Sequence, residues 1–292
     1  MTFSIAGQVG DAFGVAVASK FPFVGAVVPQ ARLGVGAVAT QAMARVSYRS
    51  TALDALAGGA DAGAAVAACT GPDDGREHRQ LGVVGVDSQA TWTGTECMDW
   101  AGGVSGREAT GGYAIQGNIL TGRDVVEAME RAWLASAGGS LSDRLLAALL
   151  AGDEAGGDSR GRQGAALYAV SPGAGYDGCG VLADVRVDDH PQAPQELARL
   201  LAINDLLFGT AEEVLPLTGE LADEVGRRLA SLGHDTGSDH GSDHGSEGGS
   251  DPGGRGVAAA LEAWASEANY EMRLSPDGID TKVLAALRDE TG

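Results

Sequence analysis

The chain is short of lysine, cysteine and aromatic residues. Among 292 residues Lys20 and Lys282 are the only lysines, the other basic residues are arginines, and 40 Asp and Glu leave a net charge of −20. No basic stripe is present to release counterions from a phosphate backbone, so nucleic acid is not an expected partner. Cys69, Cys97 and Cys179 are odd in number and widely spaced. Without a Cys-x-x-Cys pair they exclude a disulfide framework and suit a reducing compartment. No apolar run reaches about 18 residues and no basic-plus-apolar leader opens the sequence, so neither a membrane partner nor secretion is expected. An acid-rich, Lys-poor surface stays soluble where salt screens self-repulsion. A halophilic cytoplasm is the expected setting for this acidic protein, with a high-GC actinobacterial source as the alternative.

What is present is enough for a sizeable core: 44% of residues are apolar, sufficient for one large domain and a small one. Thr2–Gln8 and Phe13–Ser19 flank a Gly10-Asp11 turn and read as a β-hairpin, with Val35–Gln41 a third strand after a loop over Phe21–Gly34. Helices are expected over Tyr48–Cys69, broken at Gly58-Gly59 and capped again by Asp61, then over Asp124–Ser136, Leu141–Ala151 behind Ser140, and Glu196–Phe208. Leu81–Val86 and Ala90–Gly94 form a second hairpin, and Tyr113–Asn118, Gly164–Val170 and Gly180–Val187 are further strands. Strands and helices come in groups without strict βαβ alternation, which points to α+β with two helix layers around two sheets. Past residue 210 the character changes. Helical segments over Glu212–Leu232, Val257–Ser266 and Thr281–Arg288 are interrupted by a Gly/Ser/Asp/His linker at 233–255, expected to be disordered.

The most telling feature is Thr2. Removal of Met1 before so small a residue leaves a hydroxyl nucleophile and a free α-amine on one residue. An α-amine titrates at about 7.7–8.0, close to working pH, and takes the hydroxyl proton without a distant His. The hairpin ties this terminus into a sheet, as a fixed base requires.

The segments Thr2-Phe3-Ser4-Ile5, Gly14–Lys20, Val24–Pro29, Gly34–Gln41, Gln116-Gly117-Asn118-Ile119-Leu120, Gly156–Gln163 and Val187-Asp188-Asp189-His190-Pro191 occur in an order that resembles the DUF1028 family, over roughly residues 1–210. That family is grouped with the N-terminal nucleophile (Ntn) hydrolases and carries no assigned substrate. The resemblance implies a four-layer αββα Ntn-hydrolase-like sandwich with the nucleophile at the end of an inner strand, and a homodimer, since such sandwiches often pair. The remainder, 211–292, is similar to the peptidoglycan-binding-like domain that often follows DUF1028; a docking or dimerisation module is the alternative reading.

Ntn enzymes resembling the proteasome place an Asp and a Lys beside the terminal amine. Here Ser19 stands where that Asp is expected and Arg32 stands near the expected Lys, so the charge arrangement departs from that pattern. Lys20 is the substitute source of positive charge. Asn118 offers a carboxamide N–H to an oxyanion, a donor worth about 2.7–4 kcal/mol of barrier. The expected catalytic set is therefore Thr2, Ser19, Lys20 and Asn118. Asp158, Arg160, Arg162 and Gln163 lie in a Gly-rich loop suited to gripping substrate, where either arginine presents a fork to a carboxylate. Gln41, Gln116, Glu96, Cys97 and Trp100 are further candidates for the pocket wall. No cofactor or metal is expected. His240 and His244 beside Asp239, Asp243 and Glu247 invite a metal, but a Gly/Ser-rich segment does not preorganise one. A Ser/His/Asp triad through Asp188 and His190, or a Cys97–His78 pair, ranks behind: His190-Pro191 reads as a loop and nothing lowers the Cys97 pKa.

These residues lead to an amide-bond hydrolase acting on a small carboxylate-bearing amide or peptide. The alternatives are an acyl or glutamyl transferase and a catalytically silent Ntn fold used as a binding or assembly module.

Overall fold

The computed structural model describes residues 2–237 and 252–292. The contacts divide the chain into two units, Met1–Ala202 and Ile203–Gly292, and the division falls within one long helix. The segment around His240 and His244, where a metal is considered and not expected, lies outside the described residues, as does most of the linker. That linker ends earlier than expected, because a helix begins at Pro252. Among the described residues no helix is long and apolar enough to cross a membrane.

The first unit is a mixed α/β fold with two antiparallel sheets. β1 (Thr2–Val9) and β2 (Ala12–Ser19) form the expected hairpin, turned at Gly10 with φ +54°, a conformation that favours glycine. The segment expected as a loop contains instead α1 (Val24–Val27) and β3 (Pro29–Arg32), followed by β4 (Gly36–Ala42). α2 (Tyr48–Ala57) and α3 (Ala62–Thr70) come next, and Asp61 caps α3 by accepting the Ala64 N–H at 2.7 Å. Then follow β5 (Arg79–Gly85), β6 (Gln89–Thr93), β7 (Gly102–Glu108) and β8 (Gly111–Asn118). α4 (Asp124–Ala135), α5 (Leu141–Glu154), β9 (Gly164–Val170), β10 (Val181–Val187) and α6 (Ala193–Phe208) complete the series. β7 escapes the sequence pattern because its residues alternate between exposed and half-buried, with Val104 its only branched apolar residue.

The larger sheet runs β10-β9-β2-β1-β8-β7 and the smaller β3-β4-β5-β6. Strand alternation sends Phe3, Ile5, Ala16, Ile115 and Leu167 to one face of the larger sheet, against Met129, Trp133, Leu145 and Leu149 of α4 and α5. The opposite face presents Ala6, Val15, Val17 and Ala114 to Ala37, Ala39 and Val84 of the smaller sheet. The far face of that sheet packs Val38, Leu81 and Val83 on Tyr48, Leu53, Ala62 and Val66. Small side chains between the sheets allow close approach, and this is where the polar residues of the site sit.

The second unit holds β11 (Val214–Leu215), α7 (Gly219–Ser231), α8 (Pro252–Glu267), β12 (Ile279–Asp280) and α9 (Thr281–Thr291) around Val225, Leu229, Leu261, Trp264, Leu284 and Leu287. Arg273 is fully buried there, donating to the carbonyls of Asp205, Leu206 and Thr210 and pairing with Asp280 at 3.4 Å, while Asp280 caps α9.

Candidate functional site

β1 runs antiparallel to both neighbours, so its first residue stands at the same sheet end as their last. Thr2 is opposite Asn118 in register, and Phe3 is opposite Ala18. Thr2 is buried, and its Oγ1 lies 3.0 Å from Ser19 Oγ. Its carbonyl accepts from Gln41 Nε2 of β4 at 3.2 Å and, at the long limit of 3.5 Å, from Asn118 Nδ2. Strands from both sheets thus hold this one residue.

Behind it lies a continuous layer of amides. Gln41 Nε2 also donates to Gln80 Oε1 at 2.7 Å and to the Gln116 carbonyl at 3.3 Å. Ser4 Oγ donates to Gln41 Oε1 and accepts from Gln116 Nε2, both at 2.6 Å. Asn118 Nδ2 donates to Gln80 Oε1 at 3.1 Å. Gln80 Nε2 reaches Thr93 Oγ1, the Gly102 carbonyl and the Gly117 carbonyl at 2.9, 3.1 and 2.7 Å. Gln80 is the residue of this layer that the sequence reading passed over. The available signal was a glutamine opening the apolar run Leu81–Val84, but its importance comes from register, Gln41 pairing with Gln80 across β4 and β5.

Gln80 is anchored from the preceding residue as well. Asp73 accepts from Tyr48 Oη at 2.6 Å and Arg79 Nε at 2.9 Å, and pairs with Arg45 at 2.9 Å. The Arg79 guanidinium and then the Tyr48 hydroxyl hold the Asp73 carboxyl well below its ordinary range, while burial and this carboxylate push the Tyr48 phenol up.

The loop at 155–163 forms a second cluster. Asp158 Oδ2 accepts the Lys20 N–H at 2.7 Å, and Oδ1 accepts the Arg160 N–H at 2.9 Å. Arg160 also pairs with Asp158 through its side chain at 3.3 Å. Arg162 Nε donates to Asp153 Oδ1 at 2.6 Å, and Gln195 Nε2 donates to Asp153 Oδ2 at 2.8 Å. That contact with Asp153 raises the Arg162 pKa. A cavity of about 220 Å³ opens here, lined by Phe3, Ser19, Asp153, Glu154, Asp158 and Arg162 among others.

The remaining expected residues lie apart from Thr2. Lys20 is exposed, and its Nζ donates to the Arg162 carbonyl at 3.3 Å. Gln163 donates its N–H to the Ser19 carbonyl at 3.1 Å and its side chain to Asp189 at 3.2 Å. Glu96 stands exposed between β6 and β7, with its N–H donating to the Glu77 carbonyl at 2.8 Å. Arg32 pairs with exposed Asp54 at 2.8 Å, and Trp100 packs on the core beneath α4 and α5. Burial pushes the Cys97 thiol up, so it is not an activated nucleophile. His190 Nδ1 accepts the Gln192 N–H at 3.1 Å. Gly157-Asp158-Ser159-Arg160-Gly161 has Gly-x-Ser-x-Gly spacing that the sequence reading overlooked. It lies in the loop leading from α5 into β9, not on the strand-to-helix turn that makes a nucleophile elbow.

Comparison with known proteins shows the family. The family described as "Family of unknown function (DUF1028)" matches residues 2–197. A crystal structure of a DUF1028 protein from Silicibacter pomeroyi aligns at 29% identity with a TM-score of 0.61, covering 76% of this chain and 92% of that one. No curated protein matches the sequence.

Proposed function

Starting from a chain that belongs to the DUF1028 family, we propose that it is an amide-bond hydrolase of the N-terminal nucleophile type, a four-layer αββα sandwich with Thr2 as nucleophile. The observation that carries the reading is the buried Thr2 hydroxyl at the start of an inner strand, 3.0 Å from Ser19 Oγ and with its carbonyl fixed by Gln41. Two antiparallel sheets, packed on each other and covered by α2 and α3 on one side and α4 and α5 on the other, support the sandwich.

Processing that frees the Thr2 α-amine supplies the base. The amine takes the Oγ1 proton as Oγ1 attacks the substrate carbonyl, and the same proton passes to the departing amine as the C–N bond breaks. The resulting Thr2 ester is cleaved by water, deprotonated by the same amine, which returns the proton to Oγ1. Ser19 holds Oγ1 during attack. Asn118 Nδ2 is the proposed oxyanion donor. Its contact with the Thr2 carbonyl is long, so that hydrogen is the one redirected to the oxyanion, while Gln80 keeps the other.

The test begins with the N-terminal peptide mass of protein from its own host. A free Thr2 amine, labelling of Thr2 by a β-lactone, and loss of labelling in Thr2→Ala support the proposal. Retention of Met1 or acetylation of the Thr2 amine sinks it in favour of a silent binding module. Product analysis with added amine acceptors then separates hydrolase from transferase.

A further inference from the structure

The cavity beside Ser19 carries a charge pattern that the Thr2 chemistry does not use. Two of its three acids are already satisfied. Asp158 is held by the Lys20 and Arg160 N–H groups and the Arg160 guanidinium, and Asp153 by Arg162 Nε and Gln195. Two charged groups are not. Arg162 spends only Nε on Asp153, and among the described residues its two Nη groups have no partner. Glu154, the exposed last residue of α5, has none among the described residues either. Both line the same cavity of about 220 Å³. That volume lies below the roughly 300–1,000 Å³ of drug-sized pockets and suits a group the size of an amino acid.

Charge decides between candidate occupants. The Nη pair of an arginine whose Nε is pinned presents a preoriented fork to a carboxylate. A lone carboxylate entering this cavity meets the unneutralised Glu154 and is repelled, and a lone ammonium meets the Arg162 fork. A zwitterion satisfies both. We propose that this cavity is a subsite for a small amino-acid zwitterion, its carboxylate on the Arg162 Nη groups and its ammonium on Glu154. Arg160, committed to Asp158, is not the recognising arginine. The inference rests on the Thr2 reading only for what it adds to it, namely that the substrate is an amide whose recognised end is such a zwitterion.

Three probes of similar size separate the terms: 2-aminobutyrate, butyrate and propylamine, titrated into the full chain by calorimetry or NMR. The expected result is that 2-aminobutyrate binds at least about tenfold more tightly than either of the others. Glu154→Gln, at an exposed site, should weaken 2-aminobutyrate about tenfold while leaving butyrate unchanged or tighter. Arg162→Gln should weaken both acids. Equal binding of butyrate and 2-aminobutyrate, indifference of 2-aminobutyrate to Glu154→Gln, or no binding of any probe overturns the proposal. Repeating the titration on Thr2→Ala keeps the two ideas apart, because binding that survives there stands whether or not Thr2 proves to be a nucleophile.

Discussion

Gln80 offers the sharpest test of how the site is held. Gln80→Met keeps length and volume but removes an amide that makes five hydrogen bonds. Not all five losses count equally. Gln41 Nε2 retains the Thr2 and Gln116 carbonyls, and Thr93 and Gly102 are half-buried, where water can replace the lost partner. Gly117 lies opposite Gly102 in the β7–β8 ladder, so the costly loss is at Asn118 Nδ2, which keeps only its long contact to Thr2. At about 1–3 kcal/mol for a buried group left unsatisfied, the expected destabilisation is about 1–3 kcal/mol. That is a large share of the roughly 5–15 kcal/mol that holds a domain together. Urea unfolding at neutral pH measures it as a lower midpoint at unchanged slope. Thr93→Val, which removes one half-buried partner, should cost no more than about 1 kcal/mol. A Gln80→Met protein within about 1 kcal/mol of the parent would refute the idea that this amide ties the sheets together at Thr2.

Two further outcomes follow from the same structure. Gly82 faces the Gln116 carboxamide so closely that a Cβ would overlap Oε1, an oxygen buried without a partner among the described residues. Gly82→Ala should therefore displace Gln116 from Ser4 and lower the thermal midpoint, whereas Gly59→Ala, with open space but φ +89°, tests glycine strain alone. In the second unit, Arg288 and then Arg228 hold the Glu224 carboxyl down to about 2. A depressed native pKa gives stability that is present above the ordinary glutamate value of about 4.3 and lost as pH falls toward 2. Hydrogen exchange in α9 should accelerate over that range, and Glu224→Gln should remove most of the pH dependence.

The parts of the fold legible in the sequence are those with a strong period or a capping residue. β1, β2 and β9 announce themselves by apolar runs between Gly-rich turns. α3 and α5 are marked by Asp61 and Ser140, whose side chains accept from Ala64 and Asp143 in the structure. β3 and β7 were hidden because the residues facing their neighbours are small or polar, so neither period nor propensity distinguishes them from loop. The site divides the same way. Thr2, Ser19 and Asn118 are strand-end residues, and a reading of strands finds them. The partnership of Gln41 with Gln80 is a property of register between β4 and β5, and that of Arg162 with Asp153 joins a loop to a helix end nine residues earlier. Neither leaves a local trace.

This division has a mechanistic consequence. Side chains in contact with Thr2 come from β2, β4 and β8, and the amides behind them from β5 and β8, so Thr2 is held by backbone that is hydrogen-bonded on both sides. Such elements hold geometry to a fraction of an ångström better than loops do. Arg162 lies on the loop at 155–163 and Glu154 at the helix end before it, so the proposed recognition groups can change without moving Thr2. If the zwitterion subsite is right, variants at Glu154 and Arg162 should alter which β-lactone reacts and leave the reactivity of Thr2 toward an uncharged β-lactone unchanged. Gln80→Met should slow every β-lactone alike. A Glu154→Gln protein that loses reactivity toward charged and uncharged β-lactones equally would show instead that this end of α5 supports Thr2 itself, and the separation of the Thr2 site from recognition would fall.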